Sequence, residues 1–429
     1  MAAEAKAPLL EGRRSGAGAT PAQTIGNIVV SIVGTGVLGL PYAFRNAGWL
    51  AGALAVAGAG AATFYCMLLL LECRDKLREQ EEAEVEEQHG HQHRCCNYTY
   101  GDLGEKCFGK AGRYFTEATI ILSQSGGTVA YLVFIGQNVS SVFSGAGLSP
   151  ATVVLALLLP IQAALSFIRS LSSLAHFSIL ADACTVLAVA TVVKQDVELL
   201  SARGAPPLAG RSAVTDPRGV AFAAGFAVFC FEGFCMTLAL EASMSDRTRF
   251  RPVLSHAIAG VTAVYACFGA AGYLAYGDAT MDIVTLNLPN TLSSAAVKVA
   301  MCVALALTFP VMMHPIHEIV EARLLGWLRM HQHGGGGLAE RAALQASRVA
   351  LVAALCAVAC FVPAFGAFAS YVGSTVCALL SFVLPALFHL RVVGCAGAGA
   401  SKRAVDWAIL GFGLAFAAHG MYTVVARRH

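Results

Sequence analysis

Charged side chains are scarce in this sequence. Asp, Glu, Lys and Arg make up 13% of its 429 residues, whereas hydrophobic residues make up 57%. Soluble domains carry about 25% charged residues, so the composition excludes an ordinary soluble protein and predicts a polytopic membrane protein. The sequence also lacks a phosphate-binding Gly-Lys-Ser/Thr loop and the serine elbow of the hydrolases. These absences argue against an enzyme and against any nucleotide or other cofactor.

The 14 cysteines form no spaced framework. Most lie inside apolar segments, which is typical of small buried side chains rather than of disulfides. The segment HGHQHRCC, His89 to Cys96, contains residue types that bind soft metals. A low-complexity loop accounts for the same pattern, so we predict no metal site. Residues 1–22 lack the apolar core of a signal peptide and are predicted to form a disordered tail.

Eleven segments are apolar enough to span a bilayer, which requires about 20 residues. Their predicted limits are 24–45, 48–72, 113–141, 150–168, 172–194, 217–240, 252–276, 292–313, 342–363, 366–390 and 405–426. Residues 24–426 are therefore expected to form one transmembrane domain, an all-α membrane protein. Most of the 29 Lys and Arg residues fall in the tail and in alternate connections, including the long loops 73–112 and 314–341. The positive-inside rule then places these loops and the amino terminus in the cytosol.

The first segment contains three glycines and a proline within the run IVGTGVLGLP, Ile32 to Pro41. Each glycine destabilises a helix by about 1 kcal/mol relative to alanine, and Pro41 removes a backbone donor. The bilayer core offers no water to freed backbone groups, so irregular backbone there has to be buried in protein or line a cavity. The run fits either close helix packing through small residues or an interrupted helix at a binding site.

The sixth segment contains a second candidate interruption, where Glu232 is followed by Gly233. A carboxylate at that depth is costly unless it is paired, hydrated or protonated. Because the interruptions are five segments apart, segments 1–5 and 6–10 are interpreted as two inverted repeats, each beginning with a broken helix, with segment 11 added. Free N–H groups at the first break suit a carboxylate, whereas Glu232 and free carbonyls at the second suit an amine or cation. A site with both properties suits a zwitterion such as an amino acid.

Six blocks of sequence carry a resemblance to a known family. They are NIVVSIVGTGVLGLPYAFRNAGW in segment 1, AYLVFIGQN (Ala130–Asn138), SLAHFSILADA (Ser173–Ala183), CFEGFCMTLALE (Cys230–Glu241), GYLAYGD (Gly272–Asp278) and TFPVMMHPIHEIVE (Thr308–Glu321). These blocks resemble the amino acid/auxin permease family, and within it the plant and algal vacuolar amino acid transporters. The resemblance implies a LeuT-like fold with eleven spans and a cytosolic amino terminus.

The same resemblance implies a substrate site at the two breaks. Backbone groups of five consecutive residues would hold the substrate carboxylate: Val33, Gly34, Thr35, Gly36 and Val37. Three residues would hold its amino end: Phe231, Glu232 and Gly233. Tyr131, a polar aromatic in the apolar part of segment 3, is a candidate to close the site, although a packing tyrosine fits the sequence equally well.

Coupling to protons requires a titratable group inside the membrane, and burial of a carboxylate favours its neutral form. Asp182, well inside segment 5, is the candidate coupling residue, and His176 nearer the cytosolic end is a candidate relay. A structural hydrogen bond is the alternative role for each of them. Sodium-coupled members of this fold hold an ion between spans 1 and 8, where Thr308 is the matching residue here, but no Ser-Thr pair accompanies it.

These observations predict a secondary active transporter of neutral amino acids that works by alternating access and couples to protons. The alternatives are a sodium-coupled transporter and an amino-acid sensor that binds substrate without carrying flux. The expected partners are an amino acid, protons or sodium, and the lipid bilayer, with no nucleic acid. A vacuolar or other acidic-organelle membrane is the expected location.

Overall fold

The computed structural model describes residues 18–88, 98–168, 171–202, 208, 210–331, 337–394 and 399–426. Within the described helices, some side chains lie outside this description, namely those at 84–88, 146, 171–179, 182, 329–331, 337–338 and 424–426. The segment His89 to Cys96, whose residue types suggested a metal site, also lies outside it. Among the described residues, no group of three or more His, Cys, Asp or Glu side chains is arranged to hold a metal ion.

Thirteen helices, numbered here in chain order, make up the described structure. They are α1 Pro21–Ile32, α2 Leu40–Ala47, α3 Trp49–Gln88, α4 Tyr100–Val142, α5 Pro150–Leu165, α6 Leu171–Ala202, α7 Pro217–Cys230, α8 Thr237–Ser243, α9 Phe250–Tyr276, α10 Leu292–His331, α11 Gly337–Cys360, α12 Phe365–Val392 and α13 Ala400–Ala426. Short 3₁₀ turns connect α1 to α2 and α7 to α8, and stretches of π-helix interrupt α5 and α12.

The amino-terminal helix begins earlier than expected. Thr20 caps α1, because its hydroxyl accepts from the Gln23 backbone N–H while the Gln23 side chain accepts from the Thr20 backbone N–H. Before the cap, Ala19 donates to the Ser243 carbonyl at 2.9 Å and accepts from the Ser245 N–H at 3.1 Å. Residues 18–22 therefore belong to the folded part, which corrects the expected disordered tail of residues 1–22. Residues 1–17 lie outside the described part.

Two helices continue far beyond the limits that hydropathy suggested. α3 extends to Gln88 and α10 extends to His331, so much of the expected loops 73–112 and 314–341 is helical. The physical reason is that Glu, Arg, Lys and Gln, which fill residues 72–88, are strong helix formers outside the bilayer. The other end of the first loop is also helical from Tyr100, with a break at Gly109, whose φ is 65°.

Eight described helices are long and apolar enough to cross a membrane, and the bent pair α1–α2 makes a ninth if it counts as one span. Each of the eleven predicted segments coincides with a helix or a broken helix. However, α5 is shorter than 18 residues and α6 is not among the eight. The structure thus establishes an all-α membrane protein with eight or nine spans on this criterion, and the predicted number of eleven is not reached.

The centre of the molecule is built from the interrupted helices and their neighbours. The helices differ in the share of buried residues in their most apolar stretch. This share is 78% in α4 and α12 and 72% in α7 with α8, but only 28% in α11 and 33% in α13. α2 packs on α7, α7 on α12, α9 on both α2 and α3, and α4 on α10. Both helix breaks therefore lie in the interior, whereas α11 and α13 are peripheral.

Candidate functional site

The first break follows Ile32, where α1 ends. Val33 leaves the helical conformation with φ −78° and ψ 99°, and Gly34 follows with φ −121° and ψ −156°. A 3₁₀ turn, Thr35–Gly39, then leads into α2, and the two halves are bent by 53°. The first N–H groups of such a turn have no acceptor within their own helix. The glycine-rich run is thus an interruption and not only a packing surface.

The second break follows Cys230, where α7 ends. Gly233 has φ 154° and ψ 0°, a conformation that residues with a β-carbon rarely adopt. The chain then forms a 3₁₀ turn, Phe234–Met236, before α8 begins. The interruption predicted from Glu232 and Gly233 is therefore present in the structure.

The two breaks contact each other. A β-carbon at Gly36 would lie 2.8 Å from the Cys230 sulfur and 3.3 Å from the Cys230 α-carbon. Conversely, a β-carbon at Gly233 would lie 2.9 Å from the carbonyl oxygen of Ser31. Such distances are shorter than β-carbons normally tolerate, so each break needs glycine to let the other approach.

A tyrosine that the sequence analysis missed joins the carbonyl ends of the two broken helices. The hydroxyl of Tyr265, on α9, lies 3.1 Å from the carbonyl oxygen of Ile32 and 3.3 Å from that of Cys230. Tyr265 is fully buried, and its single proton serves two carbonyls that have lost their helical partners. Its signal in the sequence is faint, a lone polar aromatic inside the apolar run VTAVYACF.

Of the five residues expected to hold a carboxylate, Thr35, Gly36 and Val37 are buried at the first break, whereas Val33 and Gly34 are partly exposed. Thr35 and Val37 are each 1% exposed, and Val37 donates its N–H to the Gly34 carbonyl at 3.4 Å. Tyr131, on α4, is buried, and its hydroxyl would lie 3.3 Å from a β-carbon on Gly34. The structure therefore places Tyr131 against the first break.

Glu232 points from the second break towards α4. The Ser123 hydroxyl donates to Glu232 Oε1 at 2.6 Å, and a β-carbon on Gly127 would lie 3.2 Å from Oε2. Its neighbour Phe231 is 1% exposed. Among the described ion pairs, no cation accompanies the Glu232 carboxylate. Ser123 was missed by the sequence analysis, because a serine inside an apolar helix has no motif of its own.

Of the candidate coupling residues, Thr308 is the one whose side chain the structure describes. The Thr308 hydroxyl donates to the Ala304 carbonyl of its own helix at 2.8 Å. Ser31, its expected neighbour, donates to the Ile28 carbonyl at 2.8 Å. His176 and Asp182 both lie on α6, but their side chains are outside the described part.

A helical membrane protein with two interrupted helices in contact at its centre has the architecture of a solute transporter. The sequence comparisons define the class further. The family model described as transmembrane amino acid transporter protein matches residues 17–426, and the chain belongs to this family.

Relatives of known name agree with this assignment. The amino acid transporter ANT1 of Arabidopsis thaliana is 51% identical over 409 residues, covering 94% of this chain and 91% of the relative. Amino acid transporter AVT3B of the same plant is 36% identical, covering 86% and 84%. Vacuolar amino acid transporter 3 of Saccharomyces cerevisiae is 26% identical, covering 93% of this chain and 55% of the relative. These relatives are named as transporters, in agreement with the prediction that the chain is not an enzyme.

A solved structure, the substrate-bound outward-open state of a Na⁺-coupled sialic acid symporter, matches with a TM-score of 0.41. It shares 10% sequence identity, and the match covers 87% of this chain and 85% of that chain.

Proposed function

We propose that this protein is a secondary active transporter of neutral amino acids that works by alternating access and couples to protons. The observation that carries the proposal is the contact between the two helix breaks, with the Tyr265 hydroxyl at the carbonyl ends of α1 and α7. Half-helix ends that meet inside a membrane protein offer backbone donors and acceptors to a substrate. Because these groups are buried in protein, they avoid the cost of exposing unpaired backbone to lipid. Membership of an amino acid transporter family supports the same conclusion.

The proposed substrate site has two parts. The carboxylate binds at the break at residues 33–37, where the 3₁₀ turn before α2 begins. The N–H groups of Val33 and Val37 already donate to the Val29 and Gly34 carbonyls, so those of Gly34, Thr35 and Gly36 are the proposed donors. Glu232, with Phe231 and Gly233, binds the amino group. The Ser123 hydroxyl donates a hydrogen bond to Glu232 Oε1. This bond fixes the orientation of the carboxylate and leaves Oε2 to accept from the substrate amino group. Tyr131 closes the site over Gly34.

The proposed topology is that of eleven spans, with α5 and α6 as the fourth and fifth. Spans 1–5 and 6–10 are inverted repeats, each opening with a broken helix, as in the LeuT-like fold. The amino terminus is cytosolic, because most Lys and Arg residues then lie on the cytosolic side. The vacuolar membrane is the proposed location, since the yeast relative bears that description in its name.

Coupling is proposed to use a carboxylate on α6, with Asp182 as the residue suggested by the sequence and His176 as its relay. Sodium remains the alternative coupling ion. The oxygen of Thr308 donates within its own helix but retains lone pairs that can bind a cation.

Uptake into liposomes tests this function. The purified full-length protein would be reconstituted and supplied with labelled neutral, acidic and basic amino acids under a pH gradient, a sodium gradient or neither. We expect neutral amino acids to accumulate under the pH gradient alone. Accumulation driven only by sodium would favour the sodium-coupled alternative. Binding of an amino acid without uptake under any gradient would favour a sensor.

A further inference from the structure

Asp196, on α6, is a buried acid whose carboxylate has no visible partner. Its side chain is 0% exposed, and neither carboxylate oxygen has a hydrogen-bond partner among the described residues. The buried hydroxyl of Tyr276, on α9, is also without a described partner and interacts electrostatically with Asp196. Two buried polar groups without described hydrogen-bond partners require a ligand or a change of protonation to account for them.

The charged groups on the surrounding helices are engaged elsewhere. They are Lys194 with Glu198 on α6, Lys298 with Ser141 between α10 and α4, Arg45 of α2 with the Thr280 carbonyl, and Arg211 with the Leu274 carbonyl at the end of α9. Tyr273 of α9 accepts from the Ser212 N–H. Because none of these described groups neutralises Asp196, its charged form would carry the full penalty of burial, and such a group normally takes up a proton instead.

The position of Asp196 connects it to the first break. Gly272, on α9, lies between Asp196 and α2: a β-carbon there would be 2.6 Å from Pro41 Cγ and 3.7 Å from Asp196 Oδ2. Pro41 belongs to the helix that follows the first break. Water that entered to hydrate an ionised Asp196 would have to displace α6 from Gly272 of α9, and Gly272 also contacts Pro41. The displacement would therefore disturb the packing of α2, the half-helix next to the proposed substrate site.

We infer that Asp196 is a proton-binding site that controls closure of the non-cytosolic side. The carboxylate and one proton combine to form the neutral acid, and no other reactant is needed. The neutral acid is compatible with the tight packing of α2, Gly272 and α6 that the structure describes. Release of the proton creates a charge that has to be hydrated, so α2 moves outward. Asp196 lies 14 residues beyond Asp182, about 21 Å along the helix axis, so the two residues lie towards different ends of α6. This inference rests on the proposed proton coupling.

The first test measures protonation directly and does not depend on transport. Full-length protein labelled with ¹³C-aspartate would be reconstituted in lipid and titrated with pH while its infrared carboxyl band is recorded. We expect a protonated aspartate signal near neutral pH that disappears as the pH rises, and Asp196→Asn should reduce this signal by the contribution of one carboxyl group, while Asp182 can contribute another. Glu198→Gln, which removes an exposed carboxylate on the same helix, should leave it unchanged. If wild-type protein shows no protonated aspartate near neutral pH, the inference is wrong. This outcome is read from wild type alone, so it holds even if the variants fail to fold.

The second test measures coupling. In Asp196→Asn liposomes we expect accumulation driven by a pH gradient to be lost, while counterflow exchange of the same amino acid is retained. Persisting gradient-driven accumulation in this variant would overturn the role of Asp196. A wild-type protein that transports no amino acid at all would instead contradict the proposed function, and the infrared titration would still report on the proton site.

Discussion

The sulfur of Cys230 lies 2.8 Å from the point where a side chain on Gly36 would begin. Gly36 belongs to the 3₁₀ turn between α1 and α2, and Cys230 ends α7 just before the second break, so this contact brings the two interruptions to one place. The contact also explains why the run IVGTGVLGLP contains glycine at this position, since every other residue would separate the two half-helices.

Gly36→Ala should reduce transport per folded molecule, because overpacking at this contact costs about 1–3 kcal/mol. Adding Cys230→Ala removes the sulfur and should restore part of the activity. Gly58→Ala, on α3 where nothing lies within 4 Å, is the matched control and should behave as wild type. The measurement is uptake normalised to the amount of folded protein. No recovery in the double variant would mean that the sulfur contact is not limiting.

Tyr265→Phe should impair both stability and transport. Without the hydroxyl, the carbonyls of Ile32 and Cys230 lose a buried donor, and an unsatisfied buried group costs about 1–3 kcal/mol. Thermal unfolding in detergent and uptake in liposomes would measure the two effects. Tyr273→Phe, which removes another buried tyrosine hydroxyl from the same helix, is the control. An equal loss of transport in both variants would argue against a specific role for the bridge at the breaks.

Glu232→Gln should weaken amino acid binding while the protein stays folded. A hydrogen bond to a charged group contributes about 1.5–3 kcal/mol, so we expect KM to rise by roughly 10- to 100-fold. Ser123→Ala should have a smaller effect, because it removes the donor that orients the carboxylate and leaves the charge in place. A Glu232→Gln variant with unchanged KM and reduced maximal rate would show that Glu232 does not bind the amino group.

Asp282 predicts a pH dependence of stability. It lies in the loop after α9 and accepts from the Phe365 N–H at 2.9 Å, at the start of α12. Burial raises the pKa of Asp282 above its usual value, although bonds from the Gly366 and Phe365 backbone lower it. The folded protein therefore holds this proton more tightly than the unfolded chain does. The protonated Asp282 carboxyl contributes its full stabilisation at pH values below its pKa in the unfolded chain. This contribution is lost as the pH rises through its pKa in the folded protein.

Asp282→Asn keeps an oxygen acceptor for the helix terminus but cannot ionise. The midpoint of thermal unfolding should therefore decline less with rising pH in this variant than in wild type. Asp278→Asn, at an exposed position in the preceding turn, provides the comparison and should follow wild type. An Asp282→Asn protein with the wild-type pH slope would exclude this carboxyl as the source of the dependence.

The topology proposal predicts that the sequon Asn97-Tyr98-Thr99 remains unmodified during insertion into microsomes, because loop 73–112 is expected to be cytosolic. Gly210→Asn creates a third sequon, with Arg211 and Ser212, on the opposite side; the existing Asn138-Val139-Ser140 lies near a membrane face and is not expected to be an acceptor. The native φ at this position is 72°, which asparagine tolerates better than most residues. We expect glycosylation only in the Gly210→Asn protein, seen as a mobility shift. Glycosylation of Asn97 would reverse the orientation.

The sequence by itself determined the membrane class and the location of both helix breaks. Hydropathy identifies apolar helices because the free energy of transfer from water to lipid is approximately a sum over individual residues. Glycine and proline mark interruptions because their effect on the backbone is local. The same approach failed at helix ends: it stopped segment 5 at residue 194 and so overlooked Asp196, since a helix continues beyond the point where its side chains cease to be apolar.

Only the tertiary structure decided which groups meet at the breaks. Ser123 and Glu232 are 109 residues apart, and Tyr265 and Ile32 are 233 apart. No local pattern encodes such pairs. They follow from the packing of α4 and α9 against the interrupted helices, where every buried donor must find an acceptor because the membrane interior supplies none.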